Sequence, residues 1–334
     1  MKAILDFYPD AANITQDEYG DTNNGFDVVG KSYPLHAACW EDDCPLSVIE
    51  LLVEKNPSAL SQLGTYAHGL PCCPAYAENT EYMHADYSFS FVQGTPLQYY
   101  LSRGNYWWNP NWEDWEGNMS IEGVKLLVEA CPEALQVKDP KKRTNSLHTI
   151  AVHPELSAHY DIVEYLVNFD PTMMRGVDCY DANPYNGDLG SIPLNLVCGN
   201  NNASIEIVKF LVERWPSSIR ERDHDGCLPI HNICQNGGSA APLSKPRGGM
   251  DDATALEIAK FLVDEDPSTL HEAHSQGWLP IHFAAGEGHR GRAFCEFLVN
   301  QYPESVRRAC FNGFLPSASV LVGASVQVTK LVWV

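Results

Sequence analysis

Two ladders of proline constrain this chain more than any other feature. One set, Pro34, Pro96, Pro193, Pro229, Pro280 and Pro316, opens short stretches that resemble one another, with Ser146 in the same slot of a further copy. The stretches read "KSYPLHAAC" at 31, "GTPLQYYL" at 94, "TNSLHTIAV" at 144, "GSIPLNLVC" at 190, "GCLPIHNIC" at 226 and "GWLPIHFAA" at 277. A seventh, "GFLPSASV" at 313, decays at once. The second set, Pro9, Pro57, Pro132, Pro171, Pro216, Pro267 and Pro303, closes a run typified by "IEIVKFLVERWPSSI". Start and end prolines lie 23 residues apart in the first, fourth and sixth copies, and the last three returns to a start take 13. The period is therefore 36 residues, and self-similarity at such a period is the mark of a repeat architecture.

Each unit reads as two short helices. A proline costs nothing at the first helical position, where the N–H has no partner within the helix. The second block places apolar residues at helical spacing, as in Ile205, Ile207, Val208, Leu211 and Val212, or Leu46, Val48, Ile49, Leu52 and Val53. The end proline stops that helix. Three residues later comes an apolar column of Ala12, Leu60, Leu135, Met174, Ile219, Leu270 and Val306. A polar turn such as "RDHDG" leads to the next start. Helices this short are marginal alone, so the units must bury their faces on one another.

Helix pair, turn, Pro-Leu-His and a period in the thirties together resemble the ankyrin repeat, whose start is Thr-Pro-Leu-His-x-Ala. The resemblance spans about Ile4 to Pro316 and departs from that pattern in two slots. Before the proline stand Tyr33, Thr95, Asn145, Ile192, Leu228, Leu279 or Leu315; the histidine slot holds His36, Gln98, His148, Asn195, His231 or His282. No unit has both Thr and His, so the hydrogen bond that the resemblance implies between them is expected to be absent. The expected fold is all-α, an α-solenoid of stacked helix-turn-helix units with short β-turn fingers. It comprises a partial unit over 1–31, six units from about 31, 94, 144, 190, 226 and 277, a decayed seventh from 313 and an irregular tail over 318–334. Because the chain opens inside a second helix and closes on a decayed start, it reads as a segment of a longer array or as having imprecise ends. The first and last twenty or so residues are expected to fray.

The resemblance implies a non-catalytic scaffold that binds protein partners through its turn fingers and first helices. The alternative is the recognition arm of a larger enzyme, channel or ligase adaptor whose effector domain is not in this sequence. His224, His274 and Trp278 are expected at finger tips, on the interaction surface. The period is broken by insertions at 64–90, 103–118 and 235–250. The first is rich in Tyr and Phe and carries the pair Cys72-Cys73; the last reads as a flexible linker. The second, "RGNYWWNPNWEDWEGN", holds Trp107, Trp108, Trp112 and Trp115, four of the eight tryptophans. These either anchor a partner, as Trp does at interface hot spots, or fold back over the helix ends. "KDPKKR" at 138 is expected to be a solvated turn.

The net charge of −21 argues against nucleic-acid phosphates or anionic membranes as partners. The 11 cysteines are odd in number and sit mostly in apolar runs, which suits reduced thiols serving as small fillers. With no signal peptide and no eighteen-residue apolar span, an intracellular, cytoplasmic monomer is expected. No phosphate loop, nucleophile elbow or metalloprotease pattern occurs, and His153 and His159 are expected to be exposed. The stretch "HDGCLPIHNIC", His224 to Cys234, has the ligand types of a zinc site. The repeat explains its spacing instead: Cys227 shares a slot with Trp278 and Phe314, and Cys234 shares one with Cys39, Cys198, Ala151 and Ala285. Neither a metal nor a cofactor is expected.

Overall fold

The structure is a computed structural model that describes residues 16–17, 31–41, 43–66, 92–103, 119–138, 143–153, 155–178, 190–235, 250–286 and 290–316. The Trp-rich stretch with Trp107, Trp108, Trp112 and Trp115 lies outside them. So do most of the first and third insertions, the centre of the basic run, and both chain ends. The protein is mostly helical and divides into two compact units, Met1–Ser146 and Leu147–Val334.

In the first unit, α1 (Pro34–Trp40) and α2 (Leu46–Lys55) form one pair, α3 (Pro96–Tyr100) and α4 (Ile121–Ala130) the next. Helix α1 packs on α3 and α2 on α4, so like meets like. Two short antiparallel ladders precede the starting helices: β1 (Gln16–Asp17) with β2 (Lys31–Ser32), and β3 (Gly64–Tyr66) with β4 (Val92–Gly94). The first insertion thus leaves and returns through one hairpin, with Gly64 facing Gly94.

The second unit holds α5 (Ser146–Ala151, whose first residue closes the first unit), α6 (Tyr160–Phe169), α7 (Pro193–Cys198) and α8 (Ile205–Arg214). It continues with α9 (Pro229–Gln235), α10 (Asp252–Glu265), α11 (Pro280–Ala284) and α12 (Arg292–Gln301). Here α9 packs on α7 and α11, while α8 packs on α6 and α10. Lying between two neighbours, α8 buries Ile205, Ile207, Val208, Phe210, Leu211 and Val212. In α2 only Ile49 and Leu52 are buried; Leu46, Val48 and Val53, expected in the same core, are half-buried.

Five of the six starting helices begin on their proline, as the sequence indicates, and α5 begins on Ser146. Three second helices start on side-chain caps: the Ser120 hydroxyl accepts the Gly123 N–H at 3.2 Å, the Ser204 hydroxyl that of Ile207 at 3.3 Å, and the Asp251 carboxylate those of Ala253 and Thr254 at 3.0 and 2.9 Å. The end prolines among the described residues stop the second helices as expected, and each also opens a further turn. Helix α2 ends at Lys55, two residues before Pro57, and the proline opens a 3-10 turn, Pro57–Ser61. The intervening Asn56 has φ −142° and ψ 74°, outside the helical region, because a following proline ring excludes it. Cys131, Asp170, Trp215, Asp266 and Tyr302 repeat this conformation. Each turn then drops its apolar residue, Leu60, Leu135, Met174, Ile219, Leu270 or Val306, into the core.

Candidate functional site

In four repeats the side chain in the histidine slot is hydrogen-bonded to the next finger. In α1 the His36 Nδ1 accepts the Tyr33 N–H at 3.2 Å, and Nε2 donates to the Gln62 carbonyl at 3.0 Å. His231 and His282 accept the N–H of Leu228 and Leu279 at 3.1 and 3.0 Å. In each case an N-terminal helix donor gains a partner three residues on. Gln98 does both jobs: Oε1 accepts from Thr95 N–H at 2.9 Å, and Nε2 donates to Val137 and Thr144 carbonyls at 3.2 and 3.3 Å. Asn195 is one methylene shorter. Its Nδ2 reaches Glu221 and Cys227 carbonyls at 3.4 Å, while its buried Oδ1 has no partner. The accepting carbonyls keep one register, five residues after an end proline or two before the next start.

A second set of ties runs backward. The guanidinium of Arg103, 2 % exposed, donates to Cys39 and Ala38 carbonyls at 2.9 and 2.7 Å, at the C-terminal end of α1. Arg290 donates to the Ile233 carbonyl at the end of α9, through Nε at 2.9 Å and Nη2 at 2.6 Å, and to Met250 at 2.9 Å. Asn200 donates to Ala151 and His153 carbonyls at 3.0 and 2.8 Å. Terminal helix carbonyls lack partners within the helix and attract positive charge, so these residues satisfy both needs. From the sequence Arg103 falls at the start of an insertion, so this set is not expected. The available signal was a polar residue seven positions after the start proline, at Arg103 and Asn200.

Three fingers in the second unit are closed by glycines at positive φ: Gly226 (78°), Gly277 (83°) and Gly313 (81°). Asp223 Oδ1 accepts the N–H of Asp225 and Cys227 at 3.0 and 2.8 Å, and burial pushes this carboxyl up from its usual range. Six residues before the next start proline, His274 fills the same role, its Nδ1 accepting the Trp278 N–H at 3.0 Å. Adjacent fingers bond through Ser275 N–H to the Asp225 carbonyl and Phe311 N–H to the Gln276 carbonyl, both 3.1 Å. Against these two fingers opens a cleft of about 220 Å³, lined by Asp225, His274, Ser275, Gln276, Trp278 and Phe283 among others. Its wall is an aromatic cluster, with ring centroids 5.0 Å apart for His274–Phe283 and 5.3 Å for Trp278–Phe283. The Asp225 side chain, 68 % exposed, stands at the rim and approaches His224 Nε2 at 3.3 Å.

Of the three expected tip residues, His274 and Trp278 line the cleft and His224 sits beside Asp225, and one expectation is corrected. His274 is buried, not an exposed tip: its ring is consumed in shaping the finger, and Trp278 is half-buried beside it. The exposed tip residues are Asp225, Ser275 and Gln276. A second correction concerns His153 and His159, which are buried with ring centroids 4.9 Å apart, because α5 and α6 close over them. Burial and the neighbouring His153 lower the His159 pKa to about 4. Burial lowers His36 to about 4 and His231 to about 3, against the opposing pull of their backbone partners.

The stretch from His224 to Cys234 is divided among unrelated roles. His231 is a slot residue, and Cys227 and Cys234 are buried, with burial raising their thiol pKa values. Cys39, Cys198 and Cys295 are buried likewise. Among the described residues no group of three or more His, Cys, Asp or Glu is placed to hold a metal ion. Nor is any described helix long and apolar enough to cross a membrane.

No family model matches the chain, and no curated protein is similar to it. Among solved structures, the chain is similar to one chain of the complex between the predatory endopeptidase Bd0816 from Bdellovibrio bacteriovorus and the immunity protein Bd3460. The match has 16 % identity and a TM-score of 0.45, and covers 71 % of this chain and 96 % of that one.

Proposed function

We propose that this protein is a non-catalytic, protein-binding scaffold of ankyrin-repeat type that meets its partner with the finger tips and the adjoining cleft. The observation that carries the reading is the division of labour among its polar side chains. Slot residues His36, Gln98, His148, Asn195, His231 and His282 are buried, and the backbone engages them in fixed register. Beside them Asp225, Ser275 and Gln276 are left exposed around an aromatic-walled cleft. A surface with polar tips and a half-buried Trp suits recognition of another protein, since Trp is enriched where binding energy concentrates. The acidic net charge of −21 favours a basic partner.

The test is affinity capture from the cells that make the protein, using the full chain and a variant carrying Ser275→Arg and Gln276→Arg. The expected result is a partner set held by the parent chain and lost by the variant, with an unchanged unfolding midpoint. An identical set from both proteins, or none from the parent, contradicts the proposal.

A further inference from the structure

The cleft between the Asp225 and Trp278 fingers combines three properties. It is a concavity of about 220 Å³. Its wall is aromatic: Trp278, Phe283 and His274 lie within 5.0–6.0 Å of one another, centroid to centroid. Its rim carries an exposed carboxylate, Asp225, with the amide of Gln276 and the hydroxyl of Ser275 on the next finger. The Ser275 N–H to Asp225 carbonyl bond, 3.1 Å, fixes the two rims against each other. We propose that this cleft receives an arginine side chain of the partner protein, its guanidinium lying against the aromatic wall and its edge paired with Asp225.

The choice of arginine follows from chemistry. A planar guanidinium packs flat on aromatic faces and forks onto a carboxylate, whereas lysine presents a compact, strongly hydrated point charge. The chain itself places arginine over aromatic rings repeatedly: Arg103 lies 4.3 Å from the Tyr100 ring centroid, Arg214 4.7 Å from Phe210, Arg175 5.1 Å from Trp215 and Arg290 5.3 Å from Phe294. Arg222, the nearby cation, is already engaged with Glu272 at 2.6 Å and with the Gly226 and Ala273 carbonyls. Asp225, 68 % exposed and with His224 Nε2 3.3 Å away, is therefore the carboxylate that the cleft offers at its rim, and the net charge of −21 adds a long-range attraction for a basic segment.

This inference rests on the scaffold reading, and two experiments separate them. In the first, acetyl-Gly-Arg-Gly-amide is titrated into the full chain while the indole N–H resonance of Trp278, assigned with Trp278→Phe, is followed. The Lys, Leu and Glu tripeptides serve as comparisons. The expected result is a saturable shift with the Arg peptide at millimolar concentration, weakened about fivefold by Asp225→Asn and by high salt. Equal binding of the Lys or Leu peptide, insensitivity to Asp225→Asn, or no saturable shift overturns the assignment to arginine. In the second, partners captured by the parent chain are challenged with Asp225→Asn. Loss of the partner supports the inference. Retention refutes the arginine contact while leaving the scaffold reading intact, and failure of the parent to capture anything refutes the scaffold reading itself.

Discussion

Gln98 performs in α3 the two tasks that His36 performs in α1. Each side chain accepts the N–H of the residue before the start proline, at 2.9 and 3.2 Å, and donates from its far nitrogen to carbonyls beyond the second helix. The slot is thus defined by an acceptor and a donor a fixed distance apart, and imidazole and carboxamide both supply them.

His36→Gln should accordingly be nearly neutral, whereas His36→Leu leaves the Tyr33 N–H and the Gln62 carbonyl without this partner. The expected cost is about 2–4 kcal/mol, read as a lower urea midpoint. Equal destabilisation by the two substitutions would show that edge-on packing of the His36 ring against Tyr99, with centroids 5.6 Å apart, matters at this position and the hydrogen bonds do not.

Asn195 carries a buried Oδ1 without a partner. Asn195→Gln restores the missing methylene and should stabilise the protein by about 1 kcal/mol. A loss of stability would mean that the space beside α7 cannot take the longer side chain.

Arg290 serves two backbone carbonyls with one planar group. Arg290→Met should cost about 3 kcal/mol, and Arg290→Lys should recover less than half, since one ammonium cannot reproduce the fork. Amide exchange should quicken most at the C-terminal end of α9.

The histidines give a signed pH dependence. Burial holds His36 and His159 at about 4 and His231 at about 3, below the ~6.5 of an unfolded chain. Above pH 6.5 neither state binds these protons, and their contribution to stability is full. As pH falls below 6.5 the unfolded chain takes up protons that the folded one refuses. Each histidine then removes up to about 1.4 kcal/mol per pH unit until its folded pKa is reached. Between pH 6.5 and 5.5, His36→Gln should lower the slope of stability against pH by about 0.7 proton; an unchanged slope would contradict the buried, neutral ring.

Helix starts, the second-helix core and the apolar column were legible because they recur with the period of the prolines. The slot was legible as a position but not as a mechanism. Sequence comparison with a Thr-His pairing predicts a missing bond, whereas the main-chain N–H of Tyr33, Leu228 or Leu279 supplies the partner whatever side chain precedes the proline. His274 was misjudged because its slot holds Asp223 one finger earlier and Cys310 one finger later. That variation hides a job that Asp223 and His274 share, to accept backbone N–H groups inside the turn. The cleft was only half visible: Trp278 and His274 stood out by type, but Phe283 lies on α11 and meets them only through packing. Arg103 and Arg290 escaped because their partners are carbonyls of another repeat, which leave no trace in side-chain patterns.

Residues that resemble a chemical site serve in this protein as fixed structural ties between repeats. Long-range ¹H–¹⁵N correlation of the histidine rings in the full chain, at pH 6 and with one equivalent of Zn²⁺ added, tests it most directly. His36, His231 and His282 should appear as neutral rings protonated on Nε2, unmoved by zinc. Protonated rings at pH 6, or a zinc-induced change at His231 together with His224, would contradict it.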